Sequence, residues 1–341
     1  MNPARWPRER PEQGRLLHLS PASGRISDRQ VVDLPSLLRA GDVLVVNDAA
    51  TLPASLLGHT ETDAAIELRL VSREADGTWT AVLFGQGDWR MRTEDRPAPP
   101  AVPAGMRLRL GSLEARVVEV LPPSPRLLRI AFDVSGAELW AGLYRSGRPI
   151  QYSYLSGPLA LWHLQTAYAA RPWAVEAPSA GLPLTWGVLL ALRAKGVRLA
   201  TLTHAAGLSS TGDAALDAVL PRPERFDIPA ATVELIESTR AQGGRVVAVG
   251  TTVVRALEGR ALQSGGTLRP GEGVTDLLMG PGFVPRVVEG LLTGMHEPTT
   301  SHYTLLQAFA PLPLLQEAAS LAEGLGYLGH EFGDACLILG E

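Results

Sequence analysis

The stretch Val246-Val-Ala-Val-Gly250-Thr-Thr-Val-Val-Arg255-Ala-Leu-Glu-Gly-Arg260-Ala-Leu262 decides the fold class. Four apolar residues stop at a glycine, two hydroxyl residues follow, and a helical run begins. The reading is a strand Val246–Val249, a tight turn Gly250-Thr251-Thr252 and a helix Val253–Leu262. A continuous apolar strand running straight into a helix belongs to a sheet covered on both faces. The neighbouring segments repeat the pattern. Pro229–Gln242 reads as a helix opened by Pro229 and stopped by Gly243-Gly244. Thr185–Lys195 reads as a helix capped near Thr185 and stopped by Gly196, and Val197–Leu202 as the strand after it, ending at Thr203-His204. Asp276–Met279 and Ala335–Leu339 read as further strands. Near the start, a short helix has Asp33 as its cap, Pro35 in its first turn, Leu37 and Leu38 buried and Gly41 as its stop; it precedes a strand, Val43–Val46. The expectation is a layered α/β domain with a largely parallel sheet.

Between about His59 and Gly147 the pattern changes to short β-forming runs: Ala65–Val71, Thr78–Phe84, Met106–Leu110, Ala115–Leu121 and Leu127–Phe132. Ile66, Leu68 and Leu70 alternate with Glu67 and Arg69, which places Glu67 on a solvent-facing side. Short strands at this spacing predict a small barrel or sandwich. Gly85–Gly105, with four prolines, reads as a long flexible loop. The chain thus divides into 1–58, the first part of the α/β domain; 59–146, an inserted β-rich domain, barrel or sandwich; and 147–341, the rest of the α/β domain.

Composition narrows the chemistry. The 341 residues carry a net charge of −4, with 31 Lys plus Arg, of which Lys195 is the only lysine. Lys195 sits in Arg-Ala-Lys-Gly-Val, outside any Walker A loop, and is the sole residue available for Schiff-base chemistry. One cysteine, Cys336, excludes a disulfide framework and a Cys-rich zinc site. Hydrophobic residues at 45% and charged residues at 19% support a sizeable core. No apolar run reaches the ~20 residues of a membrane helix, and Met1–Arg15 lacks the apolar centre of a secretory signal. The expected location is the cytoplasm.

Ligands of open α/β sheets bind at the carboxyl ends of strands. Here those ends carry Asn47-Asp48, His204, Gly250-Thr251-Thr252 and the glycines after Leu277. The Gly250 turn offers free N–H groups and two hydroxyls to a ribose, carboxylate or phosphate; equally, Thr252 alone accounts for it as a helix cap. Arg255 is placed to clamp a carboxylate or to sit solvated. His204 and His296 read equally as core residues or as proton carriers. The expected crevice is built from Asp48, His204, Thr251, Thr252 and Arg255, and no metal site is expected because the spacing of Asp48, His204, His296 and Asp334 fits no metal motif.

These residues carry a resemblance. Gly41-Asp-Val-Leu-Val-Val-Asn47-Asp48, Ala177-Pro-Ser-Ala-Gly181-Leu182 and Val247-Ala-Val-Gly250-Thr251-Thr252-Val-Val-Arg255-Ala-Leu-Glu258 resemble the S-adenosylmethionine:tRNA ribosyltransferase-isomerase family of queuosine biosynthesis. Gln165-Thr-Ala-Tyr168-Ala, Leu291-Leu-Thr293 with His296, and Gly333-Asp-Ala335 extend it over the whole chain. The resemblance implies an α/β domain with an inserted barrel. It also implies S-adenosylmethionine as a ribosyl donor: a base takes a proton from the ribose carbon beside the sulfonium, adenine and methionine leave, and an epoxycyclopentanediol forms on a 7-aminomethyl-7-deazaguanine of a tRNA anticodon. On that basis Asp48 or Glu67 serves as base or sulfonium partner, and His204 transfers protons. Asn47, Gly250, Thr251, Thr252 and Arg255 hold the methionine or ribose end, and Tyr168, Trp162 or Trp173 stacks the RNA base.

The sequence departs from the family pattern at Ala50 and Ser55, where arginines are expected. The family's Met-His-x-Glu segment becomes Pro221-Arg-Pro-Glu224. Losing arginines weakens phosphate contacts, so a paralogue with another acceptor or cleavage chemistry, and a non-catalytic tRNA- or nucleotide-binding relative, are the rival readings.

Overall fold

The computed structural model describes residues 1–220 and 222–340. A nine-stranded sheet forms the spine of the α/β part, in the order Gly271–Thr275, Glu224–Ile228, Arg198–His204, Val43–Asn47, Val246–Val249, Gly290–Gly294, Ala335–Leu339, Arg15–Ser20, Arg25–Gln30. Arg198–His204, Val43–Asn47, Val246–Val249 and Gly290–Gly294 pair in parallel, as do Ala335–Leu339 and Arg15–Ser20. The other four pairings are antiparallel. The sheet is therefore mixed: four adjacent central strands are parallel, a separate parallel pair, Ala335–Leu339 with Arg15–Ser20, lies beside them, and antiparallel pairings complete both sides, among which Arg15–Ser20 and Arg25–Gln30 form a hairpin.

Alternation along the central strand explains the layers. Val43 and Val45 join one core with the Ala230–Ala241, Thr251–Gln263 and Leu312–Gly324 helices, through Val233, Val254 and Leu315. Leu44 and Val46 join a second core on the opposite face, against Leu34, Leu38 and the Trp186–Ala194 helix. Burial on both faces is why the sequence there is continuously apolar.

Several element boundaries differ from expectation. The first of the short helices is a 3-10 turn, Val31–Asp33, running into Leu34–Leu37; Leu34 and Leu38 are buried and Leu37 only partly. Asp33 stands at the N-cap of Leu34–Leu37 as expected, but its side chain makes no capping bond there; its carboxylate accepts from the Gln30 N–H instead. Asp276–Met279 is not a strand. The edge strand lies just before it, at Gly271–Thr275, where glycines spaced two apart let Phe226 of the neighbouring strand lie flat across Gly273. The helix after Gly250 starts at Thr251, two residues early, because Gly250 itself (φ +87°) is the cap residue and Thr252 is already in the first turn.

The β-rich segment closes into a six-stranded antiparallel barrel: Leu113–Val120, Leu127–Phe132, Trp79–Phe84, Ala65–Arg73, Ser55–Thr60 and Arg107–Leu110. Ser55–Thr60 carries no alternation and begins before His59, so this strand crosses the expected 58/59 boundary. Closure beside Arg107–Leu110 depends on Gly58, where a Cβ would stand 1.9 Å from the Arg109 carbonyl oxygen. The barrel core contains Leu56, Leu68, Val82, Leu108, Ala115 and Ile130, and the Gly136–Ser146 helix packs over it.

Candidate functional site

The parallel strands end together, and a crevice of ≈ 630 Å³ opens beyond those ends, within the size range of small-molecule sites. Its wall is the Gly250-Thr251-Thr252 turn with Arg255 one turn further on. The positive φ of Gly250 turns the chain from strand to helix while its N–H bonds the Leu292 carbonyl at 2.7 Å. The first helical bond runs from the Val254 N–H to the Gly250 carbonyl, so the preceding amides lie ahead of the helix's own ladder. Pro178–Ala180, Ser209, Ser210, Thr293–Glu297 and His330-Glu331 also line the crevice.

Arg255 is buried, yet only part of its guanidinium is engaged. Nε donates to the Leu277 carbonyl at 3.0 Å and Nη1 to Glu224. Nη2 is buried without a partner, an unmet donor on a residue that lines the crevice. Glu224 also accepts from the Gly207 N–H at 2.7 Å and lies 3.5 Å from His204 Nε2. Burial pushes His204 down to about 4, with the Arg255 charge adding to the effect and Glu224 opposing it, so the imidazole is neutral at pH 7. Both ring nitrogens are buried without a hydrogen bond. Arg255, Glu224 and His204 form a chain leading from the crevice into the sheet.

The structure divides the sequence candidates into groups. Gly250, Thr251, Thr252 and Arg255 line the crevice. Asn47 stands immediately behind it and is fully used by the protein. Its Nδ2 donates to the His204 carbonyl (3.0 Å) and Thr252 Oγ1 (3.4 Å), while Oδ1 accepts from the N–H groups of His204 (2.9 Å) and Ala49 (3.1 Å). It ties two strand ends to the turn and retains no donor for a ligand. Asp48 is partly buried beside this tie; Oδ1 accepts from Thr203 Oγ1 at 2.6 Å, and burial raises its carboxyl above the usual range. Asp48 is not on the crevice wall.

Glu67 is neither solvent-facing nor at the crevice. It is buried on the outer side of its barrel strand, bonded to Arg69 Nε (2.8 Å), Ser55 Oγ (2.7 Å) and Arg96. Burial opposes its ionisation, but the two guanidiniums outweigh this and lower its carboxyl below the usual range. Because it lies outside the crevice, Glu67 is not placed to take a proton from a molecule bound there. The reason for the misreading lies in Gly85–Gly105: this loop folds back, and its Arg96 covers the polar face of the strand. Tyr168 is packed under Gly181, whereas Trp162 is largely exposed. Trp173 stands between Arg171 and Arg225 in a second cavity, described below.

Glu224, Glu176 and Glu331 were not singled out by sequence, though Glu224 ends the segment aligned with the family's Met-His-x-Glu. Glu176 accepts from Tyr152 Oη, and burial raises its carboxyl; burial likewise raises Glu331, whose Oε2 has no partner. With Asp217 and Glu297, five carboxylates line the crevice among the described residues, against one arginine. His296 Nε2 lies 2.7 Å from Thr293 Oγ1, and the ring stacks on His302 with centroids 5.2 Å apart. Burial pushes His296 down to about 3. Among the described residues, no group of three or more His, Cys, Asp or Glu side chains is arranged to hold a metal ion; Asp334 instead bonds Arg8 and the backbone N–H groups of Arg15 and Leu328.

Comparison with known proteins gives one consistent result. A family model described as "Queuosine biosynthesis protein" matches residues 2–338. The S-adenosylmethionine:tRNA ribosyltransferase-isomerase of Acidiphilium cryptum is 37% identical over 332 residues, covering 95% of this chain and 92% of that protein. The protein of the same name from Thermus thermophilus is 37% identical over 328 residues, covering 92% and 89%. The crystal structure of an S-adenosylmethionine tRNA ribosyltransferase from Thermotoga maritima matches with a TM-score of 0.53 at 26% identity, over 99% of this chain and 96% of that one.

Proposed function

The chain belongs to the queuosine biosynthesis protein family, and from that premise we propose that it is an S-adenosylmethionine:tRNA ribosyltransferase-isomerase. The observation that carries this reading is the acidic crevice at the parallel strand ends, with an unmet guanidinium donor at one side. S-Adenosylmethionine has a fixed positive charge at sulfur and a carboxylate at its amino-acid end. Five carboxylates suit the sulfonium. Arg255 Nη2 suits the carboxylate, as a charge-assisted donor. The Thr251 and Thr252 hydroxyls and the leading helix amides suit the ribose.

In this reading the donor is consumed at its ribosyl group. A carboxylate takes the proton from the ribose carbon next to sulfur, whose acidity comes from the sulfonium. Adenine departs with the electrons of the glycosidic bond and methionine departs as the neutral thioether. We assign the proton abstraction to Glu224, the crevice carboxylate backed by an imidazole. Neutral His204, 3.5 Å behind it, is the positioning residue that accepts a hydrogen bond once Glu224 is protonated. The ribosyl unit ends as an epoxycyclopentanediol on a 7-aminomethyl-7-deazaguanine in a tRNA anticodon, giving epoxyqueuosine. A tRNA substrate supports a cytoplasmic location; no helix among the described residues is long and apolar enough to cross a membrane.

The test is to incubate the protein with S-adenosylmethionine, with and without tRNA bearing the deazaguanine, and to follow adenine and methionine by mass spectrometry. Release of both only when tRNA is present supports the reading. Release without tRNA, or none with it, contradicts it.

A further inference from the structure

A second cavity, of ≈ 370 Å³, lies between the barrel and the sheet and shares Gly207, Leu208, Leu220 and Glu224 with the crevice. Its lining differs in kind from that of the first. Trp140 and Trp173 form walls, and the guanidinium carbons of Arg171 and Arg225 lie 4.1 and 4.2 Å from the Trp173 ring centroid, a stack of flat cationic and aromatic groups. Arg73 and Arg222 stand at the rim with no partner among the described residues. Trp79, 2% exposed, also lines the cavity, and its Nε1 is buried without a hydrogen-bond partner. One carboxylate projects from the barrel: Glu74, whose Oε1 accepts from Ser72 Oγ (2.8 Å) and Thr80 Oγ1 (2.7 Å) while Oε2 bonds nothing.

Each feature matches one part of a nucleotide. Flat aromatic and guanidinium surfaces stack a splayed-out base. Unpaired arginines at a rim suit phosphates. An oriented carboxylate oxygen accepts from N–H groups, and among RNA bases the guanine type presents adjacent N1–H and 2-amino donors on one edge, while the buried indole N–H seeks an acceptor. We infer that this second cavity seats a guanine-type base of the RNA acceptor, stacked against Trp140 and the Trp173 tier, with Glu74 reading its Watson–Crick edge. The shared wall at Gly207 and Glu224 is then where acceptor and donor meet. The inference rests on the tRNA reading above and adds to it the location of the acceptor and a residue that selects it.

The experiment measures adenine release by the full-length protein, varying tRNA at saturating S-adenosylmethionine and then the reverse, for wild type, Glu74→Gln and Trp140→Ala. The expected result is a KM for tRNA raised about tenfold or more in both variants, with the KM for S-adenosylmethionine within about twofold of wild type. Glu74→Gln keeps the shape and both hydroxyl contacts, so it carries the test if Trp140→Ala lowers the melting temperature. An unchanged KM for tRNA in Glu74→Gln, or a loss confined to kcat, overturns the inference and leaves the tRNA reading standing. A wild type that releases no adenine with tRNA overturns that reading, and the inference with it.

Discussion

Arg255 and Asn47, one inside the helix opened by Gly250 and the other bonded to its first turn, have opposite relations to the crevice. Every hydrogen-bonding position of the Asn47 amide is used by protein, whereas Arg255 retains a buried, unpartnered Nη2. Arg255→Lys preserves the charge toward Glu224 but removes the second donor. It is expected to weaken S-adenosylmethionine binding by at least about tenfold, since charge-assisted hydrogen bonds contribute about 1.5–3 kcal/mol. Equilibrium dialysis or calorimetry checks this, and Thr252→Val should act in the same direction more weakly. His204 supplies a pH prediction. Its folded value of about 4 lies below its ordinary 6.5, so the unfolded chain binds the extra proton first. Stability is complete above pH 6.5, declines as pH falls through the window, and is lost in full below about 4, a total of about 3 kcal/mol from this residue. His204→Gln should flatten the fall in melting temperature between pH 7 and 5; an unaltered slope would refute the assignment. That Gly250, Thr251, Thr252 and Arg255 line the crevice was legible in the sequence because the feature is local, a turn and the helix it opens. Glu224 was not, because its significance arises from two partners, His204 and Arg255, that are distant in sequence.

The strand Ala65–Arg73 shows what an element's own sequence leaves undetermined. Its alternation located the strand, and Ile66, Leu68 and Leu70 do face the barrel core. The alternate face was misread, since it is buried too, by Arg96 arriving from a loop some thirty residues later. Ser55, one of the two positions where the resemblance leads one to expect arginine, is buried there against Glu67, and Arg96 and Arg69 supply the positive charge. Removing the carboxylate leaves two buried guanidiniums uncompensated. Glu67→Gln should therefore destabilise the protein by about 3–5 kcal/mol and free the Gly85–Gly105 loop. Urea denaturation and limited proteolysis within that loop are the measurements. At the barrel seam, Gly58→Ala drives a methyl group into the Arg109 carbonyl and should lower the melting temperature by several degrees or more, since the obstacle is backbone and cannot rotate away. The edge strand Gly271–Thr275 was missed because its two glycines suppress the β-signal, which the apolar Leu277-Leu-Met279 just beyond it mimics.

Across the whole molecule, the nine-stranded sheet aligns four strand ends, the turn at Gly250 places a helix start beside them, and the barrel bounds the side away from the sheet core. The α/β class and a β-rich insert followed from periodicity, and the choice of a barrel over a sandwich came from the family resemblance. The strand order and its antiparallel flanks did not, because pairing is a property of distant segments and not of any one of them. The resulting arrangement puts an acidic crevice and an aromatic, arginine-rimmed cavity on either side of one wall. That division suits a two-substrate enzyme with a cationic small molecule on one side and RNA on the other. The central claim is that S-adenosylmethionine gives up its ribosyl group, not its methyl group, to tRNA. The most direct measurement supplies the protein with S-adenosylmethionine isotopically labelled either in the ribose or in the S-methyl group, together with deazaguanine-bearing tRNA, and analyses the nucleosides of the recovered tRNA. Label is expected in the tRNA from the ribose-labelled donor alone. Label arriving from the methyl group, or from neither, would contradict the claim.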